Sequence, residues 1–190
     1  MENNLPNYSI IWRRLDCPGH EATLLSFYTS NWHLSGTAVF VQNKQPCRLD
    51  YQIICDAEWK TLSARVYGWI GNKTTDTRLE VISGQRWQLN QVDCPVVTGC
   101  MDLDLEFSPS TNLFPIRRLA LEIGQEMKVR AAWLRFPSFA LEPLQQIYRR
   151  IDARTYHYEI AGGGFSTELR VNAIGFVNTY PNVWRAEETI

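Results

Sequence analysis

Asp102 and Asp104 lie two residues apart in the run Cys100-Met101-Asp102-Leu103-Asp104-Leu105-Glu106-Phe107, where acidic and apolar residues alternate. Met101, Leu103, Leu105 and Phe107 point one way, and Cys100, Asp102, Asp104 and Glu106 the other. This is the pattern of a strand with one apolar and one acidic face. Two carboxylates at i and i+2 of a strand sit about 7 Å apart at Cα, a spacing that could serve a hydrolase acid–base pair. Past a turn at Ser108-Pro109-Ser110 comes the pair Arg117-Arg118. Acid and base are thus close in sequence, and a structural ion pair of Asp102 or Asp104 with Arg117 or Arg118 is the expected arrangement.

Other chemistry is sparse. The three histidines, His20, His33 and His157, have no metal-ligand spacing, so no metal site is expected. Five cysteines, an odd count with no Cys-x-x-Cys pair, argue against a disulfide framework or zinc and point to reduced thiols in the cytoplasm. There is no Gly-x-Ser-x-Gly elbow and no phosphate loop, and Gly162-Gly163-Gly164 reads as a hairpin loop between strands. No catalytic residue and no cofactor is therefore assigned. Nineteen basic and twenty acidic side chains leave a net charge of −1. The basic pairs Arg13-Arg14, Arg117-Arg118 and Arg149-Arg150 are dispersed, which excludes the electrostatic footprint of a nucleic-acid binder. The N-terminus has no signal-peptide pattern, and no window reaches the apolar length of a membrane span.

Strands must position these residues, because period two runs through almost the whole chain. Ser9–Leu15, Glu21–Tyr28, Trp32–Gln42 (with Gly36 as a bulge), Gln45–Ala57 and Leu62–Ile70 read as strands, followed by a hairpin of Arg78–Ser83 with Arg86–Val92 around Gly84. Met127–Phe136, Thr155–Ile160, Ser166–Val171 and Gly175–Thr179 continue the pattern. Phe139–Arg150 fits a helix or a strand. The one expected helix lies between about Pro109 and Leu121, with Thr111 or Asn112 as its cap. No linker or repeat divides residues 1–190, so a single domain is expected, a rolled sheet, barrel or sandwich. Seven tryptophans raise the aromatic share to 12%. They would fill a core or line a cavity, and Trp69 and Trp133, both mid-strand, are the first candidates to line one.

Several motifs together resemble the bacterial Putative glycolipid-binding family, formerly a domain of unknown function. They are Tyr51-x-Ile53-x-Cys55-Asp56-x-x-Trp59, Gly99-Cys100-x-Asp102-x-Asp104-Leu105, Pro109-x-Thr111-Asn112-x-x-Pro115-Ile116-Arg117-Arg118-Leu119, Ala132-Trp133 with Pro137, Pro143-x-x-Gln146-x-Tyr148-x-Arg150 with Tyr156 and Tyr158, and Tyr180-Pro181-x-x-Trp184. Gly19-His20-Glu21 departs from the Gly-Leu-Glu expected there. The resemblance implies a mainly-β spiral β-roll, a large mostly antiparallel sheet wrapped around a single α-helix, associating as a homodimer. It implies a glycolipid or other acyl-chain ligand bound without catalysis. The residues assigned to that ligand are Trp69, Trp133, Tyr148, Asp102, Asp104, Arg117 and Arg118. A hydrolase using the two aspartates, and a dimeric interaction module with no small ligand, are the competing readings.

Overall fold

The computed structural model describes residues 7–189; residues 1–6, where the leader reading begins, lie outside the described residues. Fifteen strands form one sheet. They are β1 (Asn7–Arg14), β2 (Gly19–Tyr28), β3 (Asn31–Gln42), β4 (Gln45–Cys55), β5 (Thr61–Ile70), β6 (Lys73–Ile82), β7 (Arg86–Leu89), β8 (Val92–Asp93), β9 (Asp102–Leu105), β10 (Glu126–Leu134), β11 (Leu141–Arg150), β12 (Thr155–Ile160), β13 (Phe165–Val171), β14 (Val177–Tyr180) and β15 (Trp184–Thr189).

The spatial order explains the roll. β1 pairs with both β2 and β15, so the described chain begins mid-sheet. β2 to β8 step outward by antiparallel neighbours to one edge. The chain then crosses to the opposite edge at β9 and steps back through β10 to β15. β9 against β10 is the one parallel pair among the described residues. The β9 edge curls back onto β5, the fourth strand from the other edge: the Thr61 N–H at the start of β5 donates to Met101 O at 2.9 Å, and the Leu103 N–H donates to Thr61 Oγ1 at 3.1 Å.

The α-helix, α1 (Leu113–Leu119), follows a 3-10 turn at Ser110–Asn112 and fills the roll. Pro115 sits in its first turn, where a backbone N–H would have no helical acceptor. Ala120, left-handed at φ 44°, ends it. Leu113 and Phe114 pack into a large cluster with Phe40, Tyr51 and Phe107. Ile116 packs into a second cluster with Tyr148, Tyr158 and Leu169. One short helix thus joins two cores that the sheet alone leaves separate.

Two expectations change and one open alternative closes. Thr111 and Asn112 do not cap α1 with their side chains. Thr111 Oγ1 accepts the Leu105 N–H, and Asn112 Nδ2 donates to Tyr148 Oη. These bonds tie the helix entry to the sheet. Phe139–Arg150 is not helical; β11 pairs with β10 throughout, Pro143 opposite Ala132. Gly36 is no bulge, because the register of β3 with both neighbours is unbroken there. On the acidic face of this run Cys100 and Asp102 are as buried as Leu103 and Leu105, because the roll covers both sides of its inner edge, while Glu106 is exposed.

Candidate functional site: a carboxylate in an aromatic-rimmed cavity

The two aspartates of β9 have different fates. Asp102, 1% exposed, is gripped by Arg118 from α1, with Nε to Oδ1 at 2.9 Å and Nη2 to Oδ2 at 2.5 Å. Burial pushes its carboxyl pKa up and the guanidinium pulls it back. Asp104 has no arginine. Its Oδ2 accepts from Gln146 Nε2 at 2.6 Å, and the same amide group donates to Tyr158 Oη at 3.0 Å. Its Oδ1 accepts no hydrogen bond among the described residues. Burial pushes the Asp104 pKa up to about 6; Gln146 opposes this and the charge of Glu106 adds to it.

Asp104 faces a cavity of about 120 Å³ whose wall includes Asn112, Trp133, Tyr158, Tyr180 and Trp184. Tyr158 and Tyr180 meet edge to face, with ring centroids 6.2 Å apart. Trp133 carries the Arg135 guanidinium on one ring face, 4.0 Å from the centroid. Arg135 is itself held by Glu106 and Glu142, at 3.2 and 3.1 Å. Asn112 backs onto the buried Tyr148, so Tyr148 stands behind the wall. A larger groove of about 470 Å³ runs along the outward side of the first strands, past Ile11, Leu24 and Tyr67. Its one buried carboxylate, Asp50, is already paired with Thr37 and Arg48.

Behind the cavity lies a second polar cluster. Glu21, 1% exposed, accepts through Oε1 from Ser108 Oγ at 2.5 Å, Tyr51 Oη at 2.6 Å and Thr23 Oγ1 at 3.3 Å, while Oε2 has no partner. Burial pushes the Glu21 pKa up to about 7, against the pull of those three hydroxyls. Ser108 belongs to both groups, since it also lines the cavity. Tyr51 reaches Glu21 only because Gly36 has no side chain: a Cβ there would lie 2.4 Å from Tyr51 Cζ and Oη. Gly36→Ala is expected to lower stability by about 1–3 kcal/mol, the cost of overpacking a fixed core. Urea unfolding reads this directly, and an unchanged midpoint would contradict the close approach.

Of the residues assigned from sequence, the structure brings Asp104 and Trp133 to one cavity, with Tyr148 behind it. Asp102 and Arg118 are spent on each other. Arg117 lies over the Trp59 ring, 5.2 Å from its centroid, and not at the cavity. Trp69 is on the outward face, opposite Arg48 and Thr74. Buried Ala64 and Val66 set the inward phase of β5 from there on, so Arg65, Tyr67 and Trp69 turn out. Sequence reasoning missed Gln146, Tyr180, Trp184 and Glu21 as site residues. Gln146 did carry a signal: it is the polar residue on the buried face Leu144-x-Gln146-x-Tyr148 of β11.

Comparison with known proteins agrees with this architecture. A search of curated proteins returns no match. A crystal structure of a DUF1089 family protein from Pseudomonas aeruginosa is similar at a TM-score of 0.75 with 30% sequence identity, over 87% of this chain and 91% of that one. The family model described as Putative glycolipid-binding matches residues 9–186, nearly the whole of the roll. With that match and the motifs of β4, β9, α1 and β11 set in one continuous sheet, the chain belongs to the Putative glycolipid-binding family.

Proposed function

We propose that the protein binds, without catalysis, the polyhydroxylated head of an amphipathic glycolipid-like ligand at the Asp104 cavity. The observation that carries this is the free Oδ1 of Asp104 in a wall of aromatic rings. A sugar ring offers hydroxyl donors along its edge and an apolar C–H face. A carboxylate takes the first and tryptophan or tyrosine rings take the second. Gln146 fixes the carboxylate, and the Tyr158 hydroxyl, which accepts from Gln146, keeps its own proton to donate.

The size of the cavity, about 120 Å³, sets the division of labour. A void of about 150 Å³ takes a benzene ring, so this smaller space takes only part of one sugar ring. Since α1 packs the interior, an acyl tail would stay outside the core. Binding is favoured over hydrolysis because both Asp102 oxygens are held by Arg118, leaving no free second carboxylate from that pair. The five free cysteines support a reducing, cytoplasmic setting. Exposed Val92, Val96, Ile123 and Met127 support a homodimer, which light scattering would read as twice the 22.0 kDa chain mass.

Calorimetric titration with octyl glucoside and with octanoate tests the reading. The glucoside should bind and octanoate should not. Asp104→Asn and Trp133→Ala should each weaken the glucoside about tenfold or more, the scale of a hydrogen bond to a charged group. Affinity should fall as the pH drops through about 6, where the Asp104 carboxylate takes up its proton. Tighter binding of octanoate, or no effect of Asp104→Asn, would overturn it.

A further inference from the structure

A second opening has the opposite charge character. The end of α1 and the segments 150–156 and 171–175 enclose a basin of about 530 Å³ whose lining includes Arg117, Arg150 and Arg154 and no Asp or Glu. Arg150 is built in. Its Nε, Nη1 and Nη2 donate to the carbonyls of Asp152, Leu121 and Ala153, and its guanidinium lies 5.8 Å from the Tyr156 ring centroid. Arg117 and Arg154 have no side-chain hydrogen bond or ion pair among the described residues. Arg117 is instead set over the ring of Trp59, which is itself stacked on Trp32 at 4.2 Å. Asp152, the closest acid in sequence, spends its Oδ1 on the Arg154 N–H within the turn.

An independent observation comes from Asn172. Its Oδ1 accepts the N–H groups of Ile174, Gly175 and Phe176, each at 3.0 Å, which fixes the amide plane. Its Nδ2 is buried, lies at the same basin and has no partner. A buried amide donor without an acceptor is costly. A basin lined by three arginines and no acid suits an anion with several acceptor oxygens, and arginine forks match phosphate oxygens two at a time. The basin is much larger than a phosphate, and Ile116, Val171, Ile174 and the Tyr156 ring supply an apolar wall for an attached organic group.

From these residues we infer that the basin is a binding site for a phosphate ester. It stands apart from the Asp104 cavity and does not depend on it. Two sources share this chemistry, a soluble phosphate monoester and a phospholipid headgroup. Glycerol 3-phosphate in calorimetry and phosphatidylglycerol vesicles in co-sedimentation distinguish them at one fixed salt concentration. The Arg117→Gln/Arg154→Gln double variant should weaken whichever probe binds by at least tenfold. Arg149→Gln, an exposed arginine outside the basin, should leave it unchanged. Asp104→Asn should also leave it unchanged, which separates failure here from failure of the sugar-head reading. Thermal melts of the double variant matching the parent would exclude misfolding; neither substituted side chain has a hydrogen bond or ion pair to lose, and Arg117 gives up only its contact with the Trp59 ring. Binding of glycerol 3-phosphate alone assigns a soluble ester, and binding of vesicles alone assigns the headgroup. If neither probe binds, or if the double variant binds as the parent does, the site is overturned.

Discussion

Replacing Arg118 by alanine lowers the free energy of unfolding by about 3–5 kcal/mol, because it strands Asp102 as an unpaired charge inside the roll. The prediction rests on the burial of Asp102, at 1% exposure, and on the two-point grip of the guanidinium. Most of that loss is the cost of the orphaned carboxylate and not the worth of the pair. Replacing both partners by apolar residues of similar volume should therefore recover much of it. The loss should also shrink in acid. Burial already raises the Asp102 pKa and Arg118 holds it down, so the carboxyl in the variant takes a proton more readily and sheds its charge. Urea unfolding at neutral and acid pH measures both effects. A loss below about 1 kcal/mol would place the pair among solvent-screened surface contacts and contradict this account.

Glu21→Gln should work in the other direction. The Glu21 pKa rises from 4.5 to about 7 on folding, with burial as the main cause. Its stabilising contribution is thus fully present below the unfolded value, and it is lost as the pH climbs through about 7. Above that point the folded protein carries a buried carboxylate with one unpartnered oxygen. Glutamine removes the charge while keeping an oxygen for the hydroxyls of Ser108, Tyr51 and Thr23. The variant should be more stable than the parent at roughly pH 8 by about 3 kcal/mol, the worth of moving the carboxyl pKa from 4.5 to about 7. The two should converge as the pH falls below about 4.5. Asp104 titrates in a similar window but is present in both proteins, so it cancels from their difference. Parallel stability curves across this range would show that Glu21 does not ionise as its surroundings dictate.

How far the sequence could be read follows from the physics of each element. Strands were legible because each needs only its own period-two pattern. α1 was legible because Pro109 to Leu121 breaks that pattern and carries Leu113, Ile116 and Leu119 at helical spacing. The ion pair was legible in kind, since Asp102 and Arg118 lie 16 residues apart across one turn and one helix. What could not be read depends on how the sheet curls. Tyr51 and Ser108 meet Glu21 across 30 and 87 residues, and Gln146 meets Asp104 across 42. Local pattern carries no information about such contacts. The same limit explains Trp69. Its strand was legible, but as a cavity liner it had to face inward, and the phase set by buried Ala64 and Val66 turns it out. It also explains the helix cap. A cap is a local device, but the side chains of Thr111 and Asn112 were claimed by sheet residues that sequence spacing does not place nearby.

Native mass spectrometry of freshly purified protein, run beside Asp104→Asn and Trp133→Ala, tests the central claim most directly. The account predicts that the parent retains a sugar-bearing amphipathic molecule, released on activation, and that both variants arrive free of it with unchanged charge-state distributions. A parent that carries nothing even when incubated with octyl glucoside, or variants that carry the same molecule at the same occupancy, would contradict it.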